Sequence, residues 1–322
     1  MELNDKTIVI TGASSGAGRA AAIEFARYGT NLVLAARNEN ALNEVKDECV
    51  ELGADVLVVP TDTSSAQAMI LLANAANDIF GSIDVWINNA GVLAAGDFDH
   101  TPMAVHEQVI KTNLLGYMNG AHAVLPFFKA QQHGVLINNI SVGGFVPVPH
   151  GAGYTASKFG LRGFMQALKG ELTPWPNIFV CDLFPAFLDT PGIQHAGNYT
   201  GKALKPAPPV YDPNRLAHAM VDVAKNPKAN TYVGSVSLLL KAGHALFPAL
   251  MTKITGMVIR RYLNGAEPIA LTDGNVFTTV NYGMSSHGGF GLPGKPKVHR
   301  KYIVGAMLAG LAAGFLLSRR SS

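Results

Sequence analysis

The sequence predicts an α/β fold, in which a doubly wound parallel sheet of about seven strands carries helices on both faces. Two observations lead to this prediction. Short apolar runs typical of buried strands alternate with longer amphipathic segments typical of helices, from Lys6 to about residue 235. Glycines such as Gly29, Gly53 and Gly81 stand where helical segments end. Strict alternation favours parallel strands joined by helical crossovers.

The elements follow one another without long gaps. The predicted strands are 7–10, 31–36, 55–59, 85–87, 135–140, 178–183 and a short one near Tyr232 and Val233. The predicted helices are 18–28, 38–52, 64–80, 103–131, 154–172 and 213–225. Because ligands bind at the carboxyl ends of strands in such sheets, residues that directly follow strands are the candidates for a site.

Three regions are predicted along the chain. Residues 1–235 form the catalytic domain, and residues 236–296 form a C-terminal extension made of an apolar helix and a loop. Residues 297–322 are a hydrophobic tail with basic flanks, in which Tyr302 to Leu317 would give about 24 Å of helix against about 30 Å of bilayer core. The tail predicts attachment to a membrane, with the catalytic domain in the cytoplasm. A helix packed on a neighbouring subunit is the alternative.

Composition excludes several classes of protein. Of 322 residues, 48% are hydrophobic and 15% are charged, which excludes a disordered chain. The net charge of +3 comes without a basic stripe, so we expect no nucleic-acid partner. Cys49 and Cys181 are predicted to be reduced core residues, and no histidine or cysteine spacing predicts a metal site.

A glycine-rich turn joins the first strand to the first helix. It reads TGASSGAG from Thr11 to Gly18, and it places Gly12, Ser14, Ser15, Gly16, Ala17 and Gly18 at a helix amino terminus. Glycines let the backbone approach a pyrophosphate, and the free N–H groups of the helix bind it. Since no GK[ST] follows, an NTPase loop is disfavoured. The turn therefore predicts a dinucleotide site in a Rossmann-type sheet.

The end of the second strand indicates which dinucleotide binds. An acidic residue there would bind the ribose hydroxyls of NAD, whereas an arginine accommodates a 2′-phosphate. The chain has Ala36 followed by Arg37. The cofactor is therefore predicted to be NADP(H).

Taken together, the motifs resemble the short-chain dehydrogenase/reductase (SDR) family in its conventional single-domain form, over roughly residues 5 to 235. They are the turn 11–18, Asp62, the NNAG run 88–91, Asn113, Ser141, the YTASK run 154–158, and residues 185–190. The order and spacing of these motifs together indicate the family far more specifically than any single motif does.

The resemblance implies a role for each motif. Asp62 would contact the adenine, and Asn89, Ala90 and Gly91 would pass beneath the adenosine. Pro185, Leu188 and Thr190 would lie on the nicotinamide side, and Tyr154 and Lys158 would also contact the cofactor. One departure is Ala186, where the family usually has glycine.

The candidate catalytic residues are Asn113, Ser141, Tyr154 and Lys158. Tyr154 and Lys158 are four apart and share one helix face. A phenol has an ordinary pKa near about 10, and we expect the ammonium of Lys158 to lower it so that Tyr154 acts as general acid/base. The resemblance implies that Ser141 binds the substrate oxygen. It also implies a proton relay through the cofactor ribose, Lys158 and a water held at Asn113.

These observations predict an enzyme, an NADP(H)-dependent oxidoreductase that interconverts a carbonyl and an alcohol, acting on a lipophilic small molecule. The alternative is a non-catalytic, membrane-associated NADP(H)-binding sensor module. The resemblance also implies a homodimer or homotetramer, assembled through the helices 103–131 and 154–172.

Overall fold

The computed structural model describes residues 1–290 of the chain. The strands are β1 (Thr7–Thr11), β2 (Asn31–Ala36), β3 (Asp55–Pro60), β4 (Val85–Asn88), β5 (Ala94–Ala95), β6 (Gly134–Asn139), β7 (Ile178–Pro185), β8 (Gly197–Asn198) and β9 (Asn230–Val233). The helices are α1 (Gly16–Ala26), α2 (Glu39–Glu51), α3 (Ala66–Phe80), α4 (Met103–Ile110), α5 (Gly116–Gln131), α6 (Ala152–Glu171), α7 (Asn214–Lys225), α8 (Ser235–Leu246) and α9 (Pro248–Gly265).

Seven parallel strands form the main sheet, in the order β3-β2-β1-β4-β6-β7-β9. The order reverses beside β1, which lies between β2 and β4 with Ile10 opposite Leu34 and Ile87. All five residues of β1 are buried, as expected for a central strand covered on both faces. The predicted doubly wound Rossmann-type sheet is therefore confirmed.

Helices cover both faces and create two apolar cores. On one face α1 packs against α2 and α7, and Phe25, Leu42 and Met220 are fully buried there. On the other face α3, α5 and α6 enclose Trp86 and Phe128. Cys49 and Cys181 are free and buried, as the sequence predicts.

The predicted helix 103–131 contains a break that the sequence does not reveal. A π-helical turn, Lys111–Leu115, separates α4 from α5. Such a turn inserts a residue into the helical ladder and re-aims the side chains around it. Asn113 lies in the middle of this turn and is completely buried.

The region after β9 differs from the predicted single apolar helix and does not support a continuous helical extension. Phe247 and Pro248 separate α8 from α9, and Ser237 and Gly256 are the buried residues of the two helices. Residues 266–290 then return across the sheet edge without helix or strand. Within residues 1–290, no helix has both the length and the hydropathy that a membrane span requires. The predicted tail 297–322 lies outside the described residues, so the membrane anchor has no support from the structure.

Buried amides link the central strands. Asn88, Asn138 and Asp182 are opposite one another on β4, β6 and β7. Asn88 Nδ2 donates to Asn138 Oδ1 at 3.1 Å, and Asn138 Nδ2 donates to Asp182 Oδ1 at 3.2 Å. Lys169 Nζ closes the row 2.6 Å from Asp182 Oδ2. Each buried polar group in this row therefore has a partner, and the row fixes the relative register of three strands.

Replacing the central amide tests this row. We expect Asn138→Ala to lower the free energy of unfolding by about 2–4 kcal/mol, because it leaves Asn88 and Asp182 buried without their partner. Asn43→Ala, at an exposed position of α2, should change the free energy by no more than about 0.5 kcal/mol. Equal effects of the two substitutions in urea denaturation would contradict the structural role of the row.

Candidate active site

The glycine turn lies at the carboxyl end of β1, where the backbone packs too tightly for side chains. A Cβ added to Gly18 would lie 2.0 Å from the carbonyl oxygen of Gly12. Gly12 itself has a φ of +66° and faces the backbone of Ala90, whose Cα would be 2.7 Å from an added Cβ. The predicted loop glycines are thus sterically required, and the turn can bring its backbone close to a ligand.

Thr11 and Asn89 join the turn to the end of β4. The Thr11 hydroxyl accepts from the N–H of Asn89 at 2.9 Å and from that of Ala90 at 3.2 Å. In return, Asn89 Nδ2 donates to the carbonyls of Thr11 and Gly12 at 3.1 and 3.2 Å. Asn89, Ala90 and Gly91 therefore form one wall of the predicted cofactor groove, beside the glycine turn.

The amino terminus of α1 presents backbone donors beside the glycine turn. Ser15 is the N-cap residue, and its hydroxyl makes no capping hydrogen bond. Ser14, Ser15 and Ala17 are half-buried. The Gly16 N–H donates to the carbonyl of Ser285 at 2.9 Å. This donor set suits a phosphate group.

Arg37 follows β2, as predicted, and lies within electrostatic reach of Asp62 beyond β3. Burial lowers the pKa of Arg37, and the Asp62 carboxylate opposes that effect. Asp62 is exposed and accepts from both the N–H and the hydroxyl of Ser64, at 2.9 and 2.8 Å. The guanidinium donates to the carbonyls of Asn275 and Phe277, and residue types alone do not predict this contact.

Ser141 and Tyr154 come together at the end of β6. Ser141 has a φ of +97°, a conformation rare for residues other than glycine and often found at functional sites. Its Oγ accepts from the Gly143 N–H at 3.1 Å and also hydrogen-bonds the Tyr154 side chain. Tyr154, in the first turn of α6, is half-buried. Burial raises the pKa of Tyr154, while the hydrogen bond from Ser141 acts in the opposite direction.

Lys158 lies one turn further along α6 and is 5% exposed. Its Nζ is 5.7 Å from the centroid of the Tyr154 ring and 5.1 Å from that of the Tyr117 ring. It donates to the Asn139 carbonyl at 3.4 Å. Burial lowers the pKa of Lys158 to about 7. The expectation that its ammonium lowers the Tyr154 pKa is wrong for this arrangement, because burial dominates both groups.

The Asn113 side chain is fully engaged by the loop after β4. Its Oδ1 accepts from the Val92 N–H and its Nδ2 donates to the Val92 carbonyl, both at 2.8 Å. Nδ2 also lies 3.3 Å from the hydroxyl of Ser157, the neighbour of Lys158. Asn113 therefore ties α6 to the loop that follows β4, and both N–H donors of its amide are used.

Residues 185–190 close the site on the side of β7. Pro185 ends the strand, and the buried Ala186 donates its N–H to the Val233 carbonyl at 3.0 Å. Leu188 forms a parallel bridge with Tyr211. Thr190 faces the glycine turn, since its Cβ would lie 3.3 Å from a Cβ on Gly16. The predicted motifs thus meet at one edge of the sheet.

A family model described as short chain dehydrogenase matches residues 6–198. The chain belongs to the short-chain dehydrogenase family. Membership of this family makes the protein an oxidoreductase. It is 31% identical over 292 residues to the uncharacterized oxidoreductase YxnA of Bacillus subtilis, across 89% of this chain and 82% of that protein.

Two further relatives are animal proteins. The chain is 35% identical over 202 residues to mouse dehydrogenase/reductase SDR family member 7, but this covers 61% of the chain and 59% of the mouse protein. It is 31% identical over 234 residues to rat estradiol 17-beta-dehydrogenase 11, across 72% of the chain and 76% of the relative.

Solved structures of dehydrogenases share the fold. An alcohol dehydrogenase from Thermococcus sibiricus, complexed with 5-hydroxy-NADP, has a TM-score of 0.64 and 27% identity over 73% of this chain and 98% of its own. A short-chain dehydrogenase from Burkholderia phymatum, in complex with NAD, has a TM-score of 0.69 and 25% identity over 84% and 100%. These neighbours bind nicotinamide cofactors of both kinds.

Sequence motifs missed three contributors to the site of this short-chain dehydrogenase. Val92 holds Asn113, and the Asn139 carbonyl accepts from both Lys158 and Tyr117. These contacts use backbone atoms, which leave no signature in residue type. The third contributor is the segment 272–290, whose irregular composition indicated only a loop.

A substitution in the glycine turn can be compared with a matched substitution on α6. Gly18→Ala should abolish tight dinucleotide binding and lower the free energy of unfolding by about 1–3 kcal/mol, because the methyl group would overlap the Gly12 carbonyl. Gly163→Ala lies on α6 with open space around an added Cβ. It should raise the free energy by up to about 1 kcal/mol. Urea denaturation and fluorescence titration with NADPH measure both effects, and a Gly18→Ala variant as stable as Gly163→Ala would refute the packing argument.

Burial of Lys158 should appear in the pH dependence of stability. The folded pKa of about 7 lies below the ordinary value of 10.5, so the unfolded chain binds more protons in between and stability rises with pH there. We therefore expect Lys158→Met to be more stable than the natural chain at pH 7. The advantage should shrink by about 1.4 kcal/mol for each pH unit between about 7 and 10. A difference that does not vary with pH in denaturant titrations would show that Lys158 keeps its ordinary pKa.

Proposed function

We propose that this protein is an NADP(H)-dependent oxidoreductase that interconverts a carbonyl and an alcohol on a lipophilic small molecule, with Tyr154 as the general acid/base. The observation that carries the proposal is the contact between the hydroxyls of Ser141 and Tyr154, with the buried Lys158 one helical turn away. Paired hydroxyl donors beside the dinucleotide groove suit a reaction in which one oxygen changes its protonation state.

In the proposed mechanism, Ser141 and Tyr154 both hydrogen-bond the substrate oxygen. Because burial raises the pKa of Tyr154, its phenol is protonated at neutral pH and can donate the proton that a carbonyl oxygen requires during reduction. The nicotinamide, when bound, supplies or accepts the hydride. The strained backbone of Ser141 is fixed by Gly143, which orients the serine hydroxyl before the substrate arrives.

Lys158 is proposed to return the proton to Tyr154. With its pKa lowered to about 7, the amine gains and loses a proton readily at neutral pH. The Asn139 carbonyl holds its Nζ on the side facing Tyr117. Since the Asn113 amide is occupied by Val92, a water at Asn113 would have to bind the main chain of the π turn.

The preference for NADP(H) is proposed from Arg37. No acid stands at the end of β2 to bind ribose hydroxyls, and a guanidinium can bind a 2′-phosphate through paired charged hydrogen bonds. The glycine turn and the uncapped start of α1 fit the pyrophosphate of either dinucleotide. Arg37 is therefore the residue that would distinguish them.

A lipophilic substrate is proposed from the surface beside the site. Helix α8 packs near the turn Val142–Gly144 that follows Ser141. Together α8, α9 and their junction expose large apolar side chains, among them Leu238, Leu246, Phe247, Met257 and Val258. The name of the rat relative specifies estradiol, an apolar alcohol. The predicted homodimer or homotetramer and the predicted tail anchor stay predictions.

Tyr154→Phe tests the catalytic role. We expect the variant to bind NADPH normally and to lose about 10²–10⁴-fold in kcat toward lipophilic aldehydes and ketones, because the proton donor is absent. Absorbance of the reduced nicotinamide follows turnover. Tyr28→Phe, at an exposed tyrosine after α1, is the matched control and should leave kcat unchanged. Binding of NADPH without turnover of any carbonyl by the natural chain would instead favour the sensor function.

Arg37→Ser tests the choice of cofactor. The variant loses charge-assisted hydrogen bonds to the 2′-phosphate, which contribute about 1.5–3 kcal/mol. NADPH binding should therefore weaken by tenfold or more. The affinity for NADH should not fall. Calorimetric titration with both dinucleotides measures the ratio, and an unchanged ratio would overturn the assignment of Arg37.

A further inference from the structure

The last described segment, residues 272–290, crosses the carboxyl edge of the sheet and is termed the strap. It has no helix or strand, and within it Val276 alone is buried. Two sections of its backbone lie against the groups that the proposed function assigns to the cofactor phosphates. Few buried contacts hold a segment of this kind in place.

One section of the strap lies on Arg37. The guanidinium Nη2 donates to the Asn275 carbonyl at 2.6 Å, and Nη1 donates to the Phe277 carbonyl at 3.2 Å. The neighbouring Asn38 Nδ2 donates to the Val280 carbonyl at 3.3 Å. Neutral carbonyl oxygens thus take the donors that a 2′-phosphate would use.

A second section lies at the amino terminus of α1. The Gly16 N–H donates to the Ser285 carbonyl at 2.9 Å, and Arg19 Nη1 donates to the Met284 carbonyl at 2.7 Å. The Gly16 N–H is a helix-terminal donor of the kind that binds a pyrophosphate, and here the Ser285 carbonyl occupies it. Both predicted phosphate positions are therefore contacted by acceptors from one segment.

The strap is also attached to the loop after β7. The carbonyl of His195 accepts from the Asn275 N–H at 2.8 Å, and its ring Nε2 lies 2.8 Å from the Tyr282 carbonyl. Asp189 accepts from the Gly288 N–H through its carbonyl at 3.1 Å and from the Phe290 N–H through Oδ1 at 2.8 Å. The strap therefore links the nucleotide side of the groove to the loop next to Thr190.

Val276 places the strap near the proposed acid/base. Its side chain is completely buried in a small cluster with Val92, Ala94 and Val105, against which Tyr154 packs. Contacts of the strap thus extend from Arg37 to the surroundings of Tyr154.

We propose that the strap is a built-in competitor of the dinucleotide, which must displace the strap from Arg37 and Gly16 in order to bind. This inference rests on the proposed function. Phosphate oxygens form shorter and stronger hydrogen bonds with a guanidinium than neutral carbonyls do, so NADP(H) favours release. Gly274 and Gly283 have φ values of +54° and +65°, so the strap turns at positions that glycine adopts without strain.

Competition of this kind makes the measured affinity depend on the fraction of molecules in which the strap has left Arg37 and Gly16, which is termed the open form. If only the open form binds, the apparent Kd equals the intrinsic Kd divided by the fraction of open molecules. NADH, which lacks the 2′-phosphate, can displace the strap from Gly16 but gains nothing at Arg37. Displacing the strap therefore lowers the measured affinity for both cofactors, and it loosens the loop that carries Asp189 and His195.

Hydrogen exchange on the full chain tests the displacement directly. The amides of Asn275, Gly288 and Phe290 are hydrogen-bonded in the closed strap. We expect NADPH to accelerate exchange over residues 272–290, and NADH to do so less over the section at Arg37. Slower or unchanged exchange with bound NADPH would overturn the proposal, because the strap would then close over the cofactor or lie outside its path.

Val276→Asp tests the same proposal through affinity. The variant removes the buried contact of the strap, so NADPH should bind about tenfold more tightly, which is about 1.4 kcal/mol. Leu271→Asp, at a residue that is 62% exposed just before the strap, is the matched control and should leave Kd unchanged.

Three outcomes separate the two proposals. Weaker or unchanged NADPH binding by Val276→Asp, with normal binding by the natural chain, would overturn the strap proposal alone. Binding by the variant but not by the natural chain would support the strap strongly. If neither bound NADPH, the proposed function itself would fail, and the strap proposal with it.

Discussion

The register of the three central strands is the constraint on which the site depends. Asn88, Asn138 and Asp182 lie side by side on β4, β6 and β7 and bind one another in the interior. In a parallel sheet a shift of one residue would turn these amides to the opposite face and leave them without partners. Because the row is fixed, β4, β6 and β7 end at one edge. The residues directly beyond them are Asn89, Ser141 and the loop that leads to Thr190.

Burial determines the protonation states at that edge. It raises the pKa of Tyr154 and lowers that of Lys158 to about 7. Both shifts favour the neutral forms, as expected for groups that lose part of their contact with water on folding. The free protein therefore holds a phenol ready to donate a proton beside an amine that exchanges one at neutral pH. In the proposed function, this phenol would supply the proton that the substrate oxygen takes up during reduction.

Much of this architecture could be predicted from the sequence, since it depends on residue type and spacing. The apolar run of β2 predicted a buried strand, and the glycines at 12, 16 and 18 predicted a tight turn. Tyr154 and Lys158 share one face of α6, as their spacing predicts. The π turn at Asn113 could not be predicted, because its cause is tertiary: the Asn113 amide binds the backbone of Val92. The predicted direction of the Tyr154 pKa shift was wrong, because spacing predicts a nearby lysine but does not reveal that Lys158 is buried and Tyr154 half-buried.

The strap shows why a loop can escape motif analysis and still control a site. Its carbonyl oxygens contact Gly16 and Arg37, and every residue type carries a backbone carbonyl that could supply such an acceptor. Donors that are poised for phosphate are costly to leave unpaired when partly buried, so a free protein gains stability by satisfying them internally. That internal satisfaction lowers the affinity for the dinucleotide, and its loss on binding is transmitted to the Asp189 loop. A neutral backbone acceptor suits this role better than a carboxylate, since a carboxylate on Arg37 would compete with the phosphate on equal terms.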